Sequence, residues 1–276
     1  MPLRRVRAGA VDLAVMEEGE GGRPLLLVHG FTGAKEDFEP LFAPLAAAGW
    51  HAAAADLRGH GESVKPSGEA SYNMDAFVAD TLAVADDLGW DQFAVMGHSM
   101  GGVVAQRLVL DHPGRVSGLV LMSTFHGPLD IDPGLVALGA AIVRQGGMAA
   151  LSAAQEARRQ NDPAAVAARE RMEAARPGHR GRAEARLLAC SPDMWTAMAP
   201  RFPAWPDTLA EVAALDVPTL VLVGADDETM RPHCERLAAT IRGARLEVLE
   251  NCRHSPQLEA TERCWEALIR FLDDLV

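Results

Sequence analysis

Gly97-His98-Ser99-Met100-Gly101-Gly102 sets a serine between glycines two residues before it and two residues after it. The apolar run Phe93-Ala94-Val95-Met96 precedes it and a segment of helical spacing, 100–110, follows, so the serine falls on a turn from strand to helix. Glycines at those two positions let the turn close sharply without Cβ clashes and project the side chain from the end of a sheet. A helix starting at Met100 aims its positive end at negative charge developing there. A serine hydroxyl is a poor nucleophile until a base takes its proton, so the pattern calls for a histidine and, as a rule, a carboxylate that orients it.

Nine histidines are available as the base. His98 adjoins the serine on the turn, where its side chain points elsewhere, and His112 stands at a helix end in Asp111-His112-Pro113; both read as structural. His254, in Asn251-Cys252-Arg253-His254-Ser255-Pro256, lies on the loop between the last predicted strand and the last predicted helix. In a doubly wound sheet such a loop returns to the edge where ligands bind. For the carboxylate, Val223-Gly224-Ala225-Asp226-Asp227-Glu228 supplies three acids just past a buried strand, and the residues alone leave the choice between Asp226 and Asp227 open.

The elements that must bring these groups together alternate along the chain. Strand-like runs at 11–16, 25–28, 52–57, 93–96, 116–122, 218–223 and 246–249 are separated by helical patterns at 34–48, 74–88, 100–110 and 233–241, and a last helix spans 259–275. Asn73 is the expected cap of the second helix. This alternation predicts an α/β fold, a doubly wound and mostly parallel sheet with helices on both faces. One interruption, roughly 125–212, is rich in alanine and arginine and shows helical periodicity broken at Pro133, Gly146-Gly147, Pro163, Pro177-Gly178 and Pro192. It divides the chain into a core of 1–124 and 213–276 and an inserted helical cap over the ends of the strands.

Composition narrows the function classes. A formal charge of −12 offers no basic face for nucleic acid or for an anionic membrane surface. The basic start Met1-Pro2-Leu3-Arg4-Arg5 is followed by Asp12, Glu17 and Glu18 rather than by a signal-peptide apolar stretch, and no uninterrupted apolar run approaches the roughly 20 residues of a membrane span. The expectation is a cytoplasmic protein. Its four cysteines form no C-x-x-C pair and no zinc spacing, so reduced thiols and no metal are expected. Abundant alanine, and arginine in place of lysine, suit a GC-rich bacterial genome. No heptad repeat or self-complementary strand edge signals an oligomer.

From about residue 10 to the C-terminus, apart from the helical insertion, the sequence resembles the α/β-hydrolase superfamily. The likeness rests on His29-Gly30-Phe31 after the third strand, the Asp56-Leu57-Arg58-Gly59-His60-Gly61-Glu62-Ser63 turn, the Gly97 to Gly102 elbow, Gly224-Ala225-Asp226-Asp227, and His254-Ser255-Pro256 followed by Glu259. The resemblance implies Ser99, Asp227 and His254 as nucleophile, acid and base, since the final aspartate of a G-x-x-D segment is the family's usual acid; the chain order Ser, Asp, His is also that of the family. It further implies an oxyanion hole from the backbone N–H groups of Phe31 and Met100, and an architectural role for the 56–63 turn. The insertion is similar to the caps of esterases, enol-lactonases, cofactor-free haloperoxidases and C–C bond hydrolases, where Phe125, His126 and Trp195 would line the pocket or fill the cap core.

The expected activity is therefore cofactor-free hydrolysis of a small-molecule ester or lactone by a serine hydrolase. Cleavage of a thioester, amide or C–C bond, or perhydrolysis, on the same triad is the alternative, and a ligand receptor on a hydrolase fold is the non-enzymatic one. Haloalkane dehalogenases and epoxide hydrolases carry an aspartate where this chain has Ser99. Hydrolases of ring-cleavage products show a longer, glycine-richer segment than Phe31-Thr32-Gly33-Ala34.

Overall fold

The computed structural model of the protein describes residues 3–275. Its centre is an eight-stranded sheet of β1 (Leu3–Ala8), β2 (Val11–Glu18), β3 (Arg23–Val28), β4 (Trp50–Ala55), β5 (Phe93–His98), β6 (Val116–Met122), β7 (Thr219–Gly224) and β8 (Arg245–Leu249), in the order β1-β2-β4-β3-β5-β6-β7-β8. The pairings from β4 through β8 are parallel, and β2 pairs antiparallel with both β1 and β4. The core therefore starts with a hairpin and continues as the alternating βα pattern the sequence predicts.

The helices are α1 (Glu39–Ala47), α2 (Met74–Asp87), α3 (Met100–Asp111), then α4 (Pro133–Gln160), α5 (Pro163–Ala175), α6 (His179–Leu188), α7 (Pro192–Met198) and α8 (Leu209–Val212) between β6 and β7, and finally α9 (Arg231–Thr240), α10 (Pro256–Glu259) and α11 (Thr261–Asp273). Side chains of a strand alternate between faces, and both faces of the central strands are covered, which is why those strands read as unbroken apolar runs. Leu25 and Leu27 of β3 pack with Phe38, Leu41 and Phe42 before and within α1 and with Leu268 and Phe271 of α11. Leu26 and Val28 face the other way, into the core formed with α2, α3, α9 and the cap. Asn73 caps α2 as expected, its side-chain oxygen accepting from the N–H of Ala76 at 3.0 Å.

Three elements depart from the sequence expectation. β1 is an edge strand bearing Arg4, Arg5 and Arg7, with only Val6 and Ala8 buried, so it has neither the apolar run nor the alternation that marks the other strands. The helical segment at 34–48 begins with a 3-10 turn, Lys35–Phe38. The last helix is broken at Ala260 into α10 and α11. Helix α4 is long and apolar enough, by length and composition, to cross a membrane. It is bent at Gly147, whose φ of +68° interrupts the helix at the Gly146-Gly147 break read from the sequence, and it packs on α5, α6 and α7 of the cap.

Candidate active site

Ser99 connects β5 to α3 with φ +54° and ψ −120°, a conformation that costs a non-glycine residue on the order of 1–3 kcal/mol and persists only where the surroundings enforce it. Three hydrogen bonds do so: the Ser99 N–H donates to the Met122 carbonyl at 2.9 Å, and the Ser99 carbonyl accepts from the Gly102 N–H at 2.9 Å and from the Thr124 hydroxyl at 2.6 Å. The flanking glycines are demanded by close approach. A Cβ on Gly97 would lie 2.2 Å from the Gly101 carbonyl oxygen, and one on Gly101 would lie 2.2 Å from that of Val28. The turn between strand and helix can be this tight only without those side chains.

The loop after β3 passes directly over the serine. A Cβ on Gly30 would stand 3.0 Å from Cβ of Ser99. His29 fixes the loop's path: its Nδ1–H donates to the Gly30 carbonyl at 2.8 Å while Nε2 accepts from the Leu57 N–H at 3.0 Å, which assigns one neutral tautomer. Thr32 is held at φ +60°, and the Phe31 ring packs edge-on to Phe202 of the cap with ring centres 4.9 Å apart. Met100, the other expected oxyanion donor, is the first residue of α3, where backbone N–H groups have no acceptor within the helix.

The Asp56 to Ser63 turn anchors that loop, which is the architectural role expected of it. Lys35 is buried, and its ammonium contacts Asp56 and Glu62, both at 2.8 Å, while its backbone N–H also donates to Asp56 at 2.9 Å. Burial opposes ionisation of Asp56, but the neighbouring His29 ring, together with hydrogen bonds from Lys35 and the Glu62 N–H, outweighs it and keeps the carboxyl below its usual range. Removing one member of a buried ion pair strands the other. Lys35→Met should therefore lower unfolding stability by about 3–5 kcal/mol in urea titration, with partial recovery in the Lys35→Met/Asp56→Asn double variant; a loss under about 1 kcal/mol would show that the pair is dispensable.

The loop after β8 carries His254, and its Nδ1 lies 2.8 Å from Oδ2 of Asp227. Asp227 follows the end of β7 and is buried, and its second oxygen accepts from the Met230 N–H at 3.3 Å. Burial works against the charged form of Asp227, but the hydrogen bond and charge of His254 prevail and hold the carboxyl below the usual range. Asp226 points out to solvent and to a cavity wall instead. Among the described residues no hydrogen bond joins Ser99 Oγ to His254, a contact that commonly forms only with substrate in place.

His98 contributes to the site in a way the sequence does not reveal. Its Nε2–H donates to the backbone carbonyl of His254 at 2.7 Å, and the two rings lie 4.9 Å apart. Burial, then the neighbouring charge of His254, push the His98 pKa down to about 3, so it supports the loop as a neutral ring. His60, fully buried beside His29 behind the loop after β3, is likewise pushed down to about 3, by burial first. For a histidine whose folded pKa lies below its unfolded value of about 6.5, the unfolded chain binds the extra proton, so stability is lost as pH falls from about 6.5 toward 3. Each ring should remove about 2 kcal/mol between pH 7 and pH 5. Urea midpoints at the two pH values check this: the loss should shrink by about that amount in His60→Gln, and an unchanged loss would refute it.

Of the three side chains proposed to line the pocket or fill the cap, Phe125 and Trp195 are buried in an aromatic cluster with Phe31, Phe202 and Trp205, and His126 is buried against Asp207. None of the three reaches the large cavity under the cap. That cavity, about 840 Å³, opens beside Thr32 and His254 and runs between α4, α5 and α6. Two cap arginines tie its walls to the core. Arg176 hydrogen-bonds the Leu258 carbonyl at 2.7 Å and the Thr261 hydroxyl, and Arg186 pairs with Asp37 at 3.0 Å.

The family model for the alpha/beta hydrolase fold matches residues 23–261. Epoxide hydrolase A of Mycobacterium tuberculosis is 35% identical over 121 residues, 44% of this chain and 38% of that protein. A fluoroacetate dehalogenase from a Burkholderia species is 37% identical over 107 residues, 38% of this chain and 35% of that protein. The matched segments thus span little more than a third of these relatives' length. Among solved structures, a thermophilic esterase from Thermogutta terrifontis superposes with a TM-score of 0.78 at 27% identity, covering 100% of this chain and 99% of that one. The enol-lactonase from Burkholderia xenovorans has the same fold, with a TM-score of 0.82 at 23% identity over 99% of this chain and 100% of that one. With the family model spanning most of the sequence and the elbow, strand order and helical insertion in place, the chain belongs to the α/β-hydrolase fold family.

Proposed function

We propose that the protein hydrolyses a small carboxylic ester or lactone through an acyl-Ser99 intermediate. The observation that carries this reading is the 2.8 Å contact between His254 Nδ1 and a buried, ionised Asp227, set beside a serine on a strained elbow. A carboxylate at Nδ1 takes that nitrogen's proton as a hydrogen bond, which leaves the lone pair on Nε2 free to act as base. His254 then accepts the Ser99 proton as Oγ attacks the carbonyl, and the N–H groups of Phe31 and Met100 stabilise the oxyanion. The histidine returns the proton to the leaving alcohol and next activates a water that releases the acid from Ser99. No step draws on a metal or an organic cofactor. An elbow with serine in place of aspartate favours this acyl chemistry over dehalogenase or epoxide hydrolase chemistry, and likeness to the Thermogutta esterase and to Est816, an N-acyl homoserine lactone degrading enzyme at 27% identity and TM-score 0.74, supports it.

Turnover of p-nitrophenyl acetate, butyrate and octanoate, together with labelling by a fluorophosphonate, tests the proposal. The expected result is hydrolysis with a chain-length preference and a single adduct on the peptide that contains Ser99. A folded protein that turned over none of these esters and left Ser99 unlabelled would overturn it.

A further inference from the structure

The cavity that opens beside His254 is charged in a way unrelated to the rest of the molecule. The chain as a whole carries a formal charge of −12, yet residues 144–186 hold nine arginines against five carboxylates. Several of those arginines converge on the cavity wall. Glu156 of α4 is shared by two of them, with Arg169 at 2.5 Å and Arg180 at 2.9 Å on its two oxygens. Arg159 stands three residues after Glu156 and hence on the same helix face, and among the described residues its guanidinium bonds the carbonyl and amide oxygen of Gln155, both at 3.3 Å, and no carboxylate. Three guanidinium groups thus gather around one carboxylate, and the same cavity also receives Arg171 and Arg253, which form no ion pair among the described residues.

The acids on this wall do not cancel the excess. Both Glu259 oxygens are occupied by backbone, accepting the N–H groups of Arg253 at 2.8 Å and Ser255 at 2.9 Å. Glu184 and Asp226 remain, against the guanidinium groups of Arg159, Arg171 and Arg253. Desolvation, then the charge of Arg169, push the Arg159 pKa down against the opposing pull of Glu156.

We propose that the substrate carries a carboxylate remote from the bond that is cleaved, and that Arg159 binds it in this cavity, with Arg169, Arg171 and Arg180 supplying the surrounding positive potential. A planar guanidinium matches a carboxylate with two parallel hydrogen bonds, and the cavity connects that position to His254 and to Thr32 on the oxyanion loop. The cluster also draws an anion toward the site against the negative charge of the whole chain. The proposal rests on the acyl-transfer reading of Ser99 for the word substrate, while the anion site itself can be measured without turnover.

The test compares p-nitrophenyl valerate with mono-p-nitrophenyl glutarate, which has the same chain length but ends in a carboxylate, and adds calorimetric titration of glutarate into the Ser99→Ala variant. The wild type should favour the glutarate ester by about tenfold or more in kcat/KM, with the preference falling as salt rises. Arg159→Gln should bring that ratio to about one and weaken glutarate binding about tenfold, whereas Arg158→Gln, one residue away and off the cavity, should change neither. Valerate turnover without a glutarate preference, and without glutarate binding, would overturn the anion site and leave the esterase reading intact. Arg159-dependent glutarate binding in a protein that hydrolyses neither ester would do the reverse. Absence of both binding and turnover would overturn both.

Discussion

Asp227→Asn should lower kcat on any ester the wild type hydrolyses by about 10³–10⁴-fold while leaving the protein folded. The amide can still sit 2.8 Å from His254, but it no longer demands a proton on Nδ1 and no longer stabilises the imidazolium that forms as Ser99 attacks. A ring that turns to its other tautomer presents N–H instead of a lone pair to the serine. The stability loss should stay near 1–2 kcal/mol, the scale of one charge-assisted hydrogen bond, because the Met230 N–H still has its acceptor. The neighbouring Asp226→Asn serves as the comparison. Its carboxylate is exposed on the cavity wall, so kcat on a neutral ester should change by no more than about twofold. Steady-state kinetics of the two variants decide the matter, and a reversal of their effects would move the acid to Asp226.

Ser99→Ala should remove turnover more completely, by at least about 10⁴-fold, and the fluorophosphonate adduct with it. The variant keeps what holds the elbow together, since the bonds to Met122, Gly102 and Thr124 involve the Ser99 backbone and not its hydroxyl. Its melting temperature should therefore remain within a few degrees of the wild type. In the proposed triad the nucleophile, base and acid act as one unit, so Ser99→Ala/Asp227→Asn should be scarcely slower than Ser99→Ala alone. A double variant slower by the product of the two single effects would mean that Asp227 acts outside the serine mechanism, and rapid hydrolysis by Ser99→Ala would remove Ser99 as nucleophile.

Much of the sheet is legible in the sequence because its central strands are buried on both faces and its turns are marked by glycine. The runs around Leu25, Ala94 and Val221 could have been little else, and Gly97 and Gly101 record a close approach of strand and helix. β1 escapes because an edge strand with arginines at positions 4, 5 and 7 needs no apolar pattern. Lys35 escapes for a related reason: on a predicted surface helix a lysine implies exposure, and its burial follows from Asp56 and Glu62, which lie 21 and 27 residues away. His98 sits in plain view beside Ser99, yet its bond to the His254 carbonyl spans 156 residues and leaves no local trace. The cap is the least legible part. Its arginines read as composition in the chain, and only the packing of α4 against α5 and α6 turns them into the wall of a cavity.

The ties made by Arg176 and Arg186 have a consequence for access. One joins the cap to the segment that follows His254, and the other joins it to Asp37, just beyond the loop after β3. A cap swinging away as a rigid lid would drag on the His254 loop and on the loop after β3 together each time it opened. Small molecules reach the serine at lower cost if α5 and α6 breathe apart between these fixed points, with the gate in the cap's own seams and the hinges at rest.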